Sequence, residues 1–199
     1  MLPDNSFRKR KIVLASASPR RREILALTGL QFRVDPGTYE EAMDHLMEPH
    51  RLARFLSRQK AEAVAPKYRN ALIIAADTFL LFEGELLGKP RGERDARRML
   101  SRLNGRSHSV ITGYTILDTA NKKKVSGSVE TKVCFRRLTA KEILSYVKSG
   151  EPLDKAGSYG IQGLGALLVE RIEGDYFNVM GLPIGALVQE LKKFGITVL

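Results

Sequence analysis

The sequence predicts an α/β fold, and two observations point to it. Residues 12–27, IVLASASPRRREILAL, pass from a β-branched apolar stretch through small residues into a helical pattern, which is a strand–turn–helix unit. Apolar runs at 72–76 and 79–82 then alternate with helical patterns at 49–65 and 93–103, as in layered α/β proteins. A chain of 199 residues suffices for one large domain or two lobes sharing a core. Its 43% hydrophobic and 28% charged content is that of an ordinary globular protein. No apolar run approaches the ~20 residues of a membrane span. Residues 1–11 are polar and basic with no apolar segment behind them, so they read as a solvated leader rather than a secretory signal, ahead of one domain at 12–199. The lone Cys134 lies in an apolar run; it reads as a core residue, excludes an intramolecular disulfide and suits a reducing cytoplasm.

In the opening unit Ser18 is a natural N-cap and Pro19 a natural first helical residue. A helix N-terminus offers unpaired N–H groups and a positive dipole end, and the small Ser16 and Ser18 let a ligand approach the backbone. Arg20, Arg21 and Arg22 add donors suited to phosphate oxygens. They also oppose the helix dipole, which stability alone would avoid. Helical neighbours lie about 100° apart, so the three cannot all face one ligand. The stretch reads as a phosphate site, though it is neither a Walker A loop nor a dinucleotide fingerprint.

Gly29 closes this helix, residues 31–34 read as a strand, and Pro36-Gly37 breaks it. Glu40 and Glu41 follow in a loop, as a solvent-facing pair or with one carboxylate aimed at a metal. The helix at 49–65 carries Leu52, Ala53, Leu56, Ala63 and Val64 on an apolar face, with Lys60 near its far end. Residues 72–76 form the most strand-like run, which is expected to be central and to end at Asp77-Thr78. A carboxylate between two apolar runs is costly to bury unless paired or metal-bound. Asp77 is therefore the leading candidate for chemistry, as metal ligand, general base or both.

Glu83-Gly84 reads as a hairpin turn. Residues 84–89 superficially resemble a P-loop, but one residue is lacking between the glycines and Pro90 stands where a Ser or Thr should be. Lys89, between Gly88 and Pro90, remains a phosphate contact. A helix at 93–103 precedes two strands, 108–117 and 125–135, joined by a turn; His108 reads as a hydrogen-bonded structural histidine. Thr139 caps a helix to 147, with Glu142 completing a capping box. Residues 151–165, EPLDKAGSYGIQGLG, form a glycine-driven loop bearing Lys155, Tyr159 and Gln162. Gln162 has both donor and acceptor, as the edge of a nucleobase requires. Residues 166–169 and 176–179 read as strands, and a final helix runs from 184 to 193.

Six blocks, SASPRR at 16–21, AADT at 75–78, LGKP at 87–90, HSVITGY at 108–114, DKAGSYGIQG at 154–163 and GLP at 181–183, resemble in this order the Maf family of nucleoside triphosphate pyrophosphatases. The resemblance implies a long bent mixed sheet between two α/β lobes and a cleft holding a nucleotide. It implies metal-dependent hydrolysis between the α and β phosphates, with magnesium or manganese, to give the monophosphate and pyrophosphate. A role in removing non-standard or surplus nucleotides, linked to cell division arrest, is implied too. Carried over by motif, Ser16, Arg20 and Arg21 form the phosphate-binding turn, Asp77 activates water or holds the metal, and Lys60 and Lys89 neutralise the triphosphate. Glu41, with Glu40 as its rival, is the second carboxylate near the metal. ADT and Gln162 are similar to the group acting on dTTP and UTP, in which Thr78 and Gln162 would read the pyrimidine edge. The 7-methyl-GTP group is the alternative. Homodimers are common among similar proteins.

The net charge of +11 calls for an anionic partner. A nucleic-acid-binding or regulatory protein without catalysis is the competing class, but the basic residues are spread along the chain and no nucleic-acid-binding motif appears. A polyphosphate small molecule fits the charge as well, and the grouping of Ser16, Ser18 and the arginines on one turn favours an enzyme.

Overall fold

The computed structural model describes residues 10–39 and 47–199. These form a mixed α/β protein with a seven-stranded sheet in the order β2-β1-β3-β5-β6-β7, β4 pairing with β3. The strands are β1 (Lys11–Leu14), β2 (Phe32–Val34), β3 (Ala71–Phe82), β4 (Glu85–Leu87), β5 (Ser107–Asp118), β6 (Lys124–Phe135) and β7 (Val169–Glu173). The helices are α1 (Pro19–Ala26), α2 (Pro49–Val64), α3 (Glu93–Leu103), α4 (Ala140–Lys148), α5 (Tyr176–Met180) and α6 (Ile184–Leu191). The chain folds as two compact units. Asp77 and the described residues before it, with Thr112–Val129 and Gly181–Leu199, form the first; Thr78–Ile111 and Glu130–Met180 form the second.

In the first unit β1 pairs in parallel with β2 on one side and with β3 on the other, Leu14 standing opposite both Val34 and Ile74. Parallel strands need helical crossovers, and α1 and α2 supply them. Val13, Ala15, Ile73 and Ala75 pack with Ala61 and Val64 of α2 in one buried cluster. Helix α2 also lies very close to β5. A Cβ placed on Gly113 would stand 2.0 Å from the Ala53 carbonyl oxygen, so only glycine admits the helix at this depth. A buried hydroxyl pair, Ser57 to Thr115 at 2.9 Å, holds the same face.

The second unit has its own core, in which Leu80, Phe82 and Leu87 meet Leu100, Leu103, Val133, Phe135, Ile143 and Tyr146. Thr139 and Glu142 form the expected capping box at the start of α4. Cys134 is buried, as its apolar run implies.

Three expectations are corrected. β3 does not end at Asp77-Thr78 but runs on to Phe82, because its second half gains a partner in β4 with Leu80 opposite Leu87. Residues 166–168 belong to a 3₁₀ helix, Gly163–Leu168, and the strand starts at Val169. Tyr176–Met180 is a helix, not a strand. Its aromatic and β-branched composition suggested a strand, but tertiary partners override it. Asp175 accepts from the Phe177 N–H at 2.7 Å, and the buried Asn178 amide donates to the Val110 carbonyl and Thr131 Oγ1 at 3.0 Å each.

Gly113→Ala is expected to cost about 3 kcal/mol, the upper range for overpacking, since the clash is with backbone that cannot rotate away. Urea unfolding should show a lower midpoint at unchanged slope; an unshifted midpoint would mean that α2 does not rest on this glycine.

Candidate functional site

The first-unit site is built where the parallel ladder stops. The β1–β3 pairing ends at Leu14 and Ile74, extended by the Ala15 N–H donating to the Ile74 carbonyl at 2.8 Å. Just beyond lie Ser16, in the turn that follows β1, and Asp77 on β3. From β1 the chain turns aside to β2, whereas β3 has its other neighbour in β5. Carboxyl ends of parallel strands at such a divergence are where open α/β sheets bind ligands.

The turn into α1 is locally determined. The Ser18 N–H donates to Ser16 Oγ at 3.2 Å, and the Ser18 hydroxyl caps the helix by accepting from the Arg21 N–H at 3.4 Å. No acidic residue occupies the first helical turn. The three arginines part company. Arg22 is exposed. Arg21 reaches back across the turn, Nη1 donating to Ser16 Oγ at 3.2 Å and Nε to the Gly181 carbonyl at 2.9 Å. Arg21 thus ties the first block of the sequence to the GLP block. Arg20 is half-buried and makes no hydrogen bond or ion pair among the described residues, which leaves a cation on the turn for an incoming anion.

Asp77 is 4% exposed and its Oδ1 accepts from the Lys60 ammonium group of α2. Burying the two as a neutral pair costs far less than burying either charge alone. Oδ2 accepts no hydrogen bond from a described residue, so a hard oxygen donor remains for a cation or a water. Among the described residues no three His, Cys, Asp or Glu side chains cluster as metal ligands. Glu41 and its rival Glu40 lie outside the described residues.

Thr78, Lys89 and Gln162 belong to the second unit. Thr78 follows Asp77 on β3 and is half-buried. Lys89 is exposed and lines an open groove of about 1070 Å³ with Arg91, Arg94, Arg97 and Arg98, among which Glu93 and Asp95 are interspersed. Gln162 is half-exposed at the N-cap of the 3₁₀ helix Gly163–Leu168, and its side chain does not cap that helix.

The loop carrying Gln162 is held by side chains that no local pattern announces. Lys155 is not available to a ligand; its ammonium donates to the Glu151 carbonyl at 2.6 Å and to Asp154 at 2.7 Å. The Glu151 carboxylate accepts from the Leu164 and Gly165 N–H groups and from the Tyr146 hydroxyl, each at 2.9 Å. Burial alone would raise the Glu151 carboxyl, but these bonds and the Lys155 charge bring it below the usual carboxylate range. Farther up the loop, Tyr159 meets His108 Nε2 at 2.7 Å, with Phe135 edge-on to both rings. His108 is the structural histidine its position suggested. Sequence reasoning singled out Tyr159 but missed Tyr146 and Glu151. A tyrosine on the buried face of α4, needing a partner for its hydroxyl, was the available signal.

The sequence matches the family described as "Maf-like protein" over residues 11–194. It is 51% identical to the dTTP/UTP pyrophosphatase of Carboxydothermus hydrogenoformans over 185 residues, covering 93% of this chain and 99% of that protein. It is 45% identical to the dTTP/UTP pyrophosphatase of Dictyoglomus turgidum over 192 residues, 96% of this chain and 100% of the relative. The structure of the Staphylococcus aureus Ham1 protein aligns with a TM-score of 0.49 at 16% identity, covering 93% of this chain and 100% of that one.

Burial lowers the His108 pKa to about 4, and Nδ1 has no partner among the described residues. The unfolded chain therefore takes up a proton near pH ~6.5 that the folded one resists, so stability is full above that pH and falls as pH drops towards 4. Between pH 7 and 5 this one group should remove about 2 kcal/mol. The double variant His108→Phe/Tyr159→Phe, which leaves no orphaned hydroxyl, should lose that increment in urea unfolding at the two pH values. An unchanged difference would mean that His108 is protonated in the fold.

Proposed function

The chain belongs to the Maf family, and from that premise we propose that it hydrolyses dTTP and UTP between the α and β phosphates to the monophosphate and pyrophosphate. The observation that carries the reading is the buried Asp77, paired through one oxygen with Lys60 and bonded at the other to no described residue, at the end of the ladder beside the Ser16 turn. Near-full-length relatives bearing the name dTTP/UTP pyrophosphatase support the reaction and the pyrimidine class.

In this proposal the phosphates meet Ser16, Arg20 and Arg21, with Lys89 adding charge; Arg20 bonds to no described residue, and Arg21 also holds the turn in shape. Asp77 Oδ2 accepts the proton of the attacking water, and Lys60 keeps the carboxylate oriented by its bond to Oδ1. Thr78 and Gln162 present hydroxyl and amide groups to the pyrimidine edge. A carboxylate oxygen without a partner among the described residues suits magnesium or manganese, which are held by one or two carboxylates together with substrate phosphates. Asp77, with Glu41, would hold that cation, which neutralises phosphate charge when bound. The proposal extends to a cytoplasmic protein acting on a small-molecule nucleotide rather than nucleic acid, supported by one buried cysteine and by basic residues spread along the chain, and to the homodimer that the resemblance implies.

Pyrophosphate release from a panel of nucleoside triphosphates, with magnesium or manganese and a chelator control, tests the reading. The expected result is metal-dependent turnover strongest with dTTP and UTP. Turnover of 7-methyl-GTP alone would overturn the base assignment, and silence from folded protein would overturn the enzyme reading. Asp77→Asn should lower kcat by about 10²–10⁴-fold with the far-ultraviolet circular dichroism retained; wild-type turnover would remove Asp77 from the chemistry.

A further inference from the structure

Gln162 stands at the N-cap of the 3₁₀ helix Gly163–Leu168, where a side chain ordinarily turns back to satisfy the first helical N–H groups. Here another residue does so. Glu151 accepts from both the Leu164 and the Gly165 N–H at 2.9 Å. Its carboxylate is in turn held by the Tyr146 hydroxyl at 2.9 Å, and that hydroxyl accepts from the Gly160 N–H at 3.4 Å on the other side of Gln162. The Tyr146–Glu151 pair thus grips the backbone two residues before Gln162 and two and three residues after it. The fit is close: a Cβ on Gly163, whose φ is +65°, would stand 2.6 Å from Glu151 Oε2. The Gln162 amide is left out of the capping and bonds to no described residue.

We infer that Glu151, buttressed by Tyr146, is a positioning residue for nucleobase discrimination: by capping the helix in place of Gln162, it releases the Gln162 amide and fixes its direction. This rests on the reading of Gln162 as a base contact. In Glu151→Gln one oxygen becomes an NH₂ group facing donors, so one bond of the grip is lost and Gln162 can swing back to cap its own helix.

The test is steady-state kinetics of the full chain on dTTP and on 7-methyl-GTP. Glu151→Gln should raise KM for dTTP with kcat kept, lowering the dTTP preference about tenfold, as loss of a well-placed polar contact does. Tyr146→Phe, which removes the hydroxyl that joins Glu151 to the Gly160 N–H but leaves the Glu151 carboxylate on the helix, should move the preference in the same direction by less and carries the test if Glu151→Gln fails to fold. In a Gln162→Ala background, Glu151→Gln should change the preference no further. If Glu151→Gln lowers kcat on both substrates alike with the preference intact, the residue merely holds the fold and the inference is overturned. A preference that survives Gln162→Ala in an active enzyme overturns the base-contact reading and this inference with it. Absence of turnover in the wild type overturns the proposed reaction itself.

Discussion

A charged carboxylate in the interior of a twelve-residue strand is the constraint on which the first unit depends. Asp77 is tolerable there only because a cation reaches it, and that cation is Lys60, borne by a helix from seventeen residues earlier in the chain. Helix α2 must therefore be seated at a definite depth. Gly113 permits that depth by offering no Cβ to the Ala53 carbonyl, and the Ser57–Thr115 hydroxyl pair holds it. Core packing and the site geometry are the same contacts seen from two sides. The neutral pair also explains how a buried carboxylate survives among Ile, Ala and Phe side chains without collapsing the strand.

The Ser16 turn shows how charge can be concentrated without being dispersed over the surface. Three arginines at a helix N-terminus oppose the helix dipole, and nothing acidic in the first turn relieves them. The strain is distributed: Arg22 goes to solvent, Arg21 donates to Ser16 and Gly181, and Arg20 bonds to no described residue. Two of the five Arg21 donors are bonded to protein oxygens, so it shapes the turn on which the resemblance places a phosphate.

The second unit solves a different problem, that of giving a glycine-rich loop one conformation. Backbone freedom at the glycines is removed by long-range side-chain bonds, from Glu151 and Tyr146 on one side and from His108 to Tyr159 on another. The loop is then rigid enough to present an amide, and Lys155 is consumed in holding its own turn.

The sequence by itself determined the elements and their chemistry wherever the cause is local. Ser18 and Pro19 start α1, Thr139 and Glu142 start α4, and the alternation of apolar runs with amphipathic stretches reveals an α/β protein, because caps and periodicities act within a few residues. Six short blocks sufficed to point to the family. The sequence misled where a partner from afar overrules local preference, as when β4 extends β3 past Asp77 and when Asp175, Val110 and Thr131 wind residues 176–180 into a helix. Only the tertiary structure decided which cation meets Asp77, which arginine ties Ser16 to Gly181, and which acid caps the helix behind Gln162. Hydrogen-bond partners are chosen by proximity in space, and proximity between residues as far apart as Arg21 and Gly181 is created only when the chain has folded.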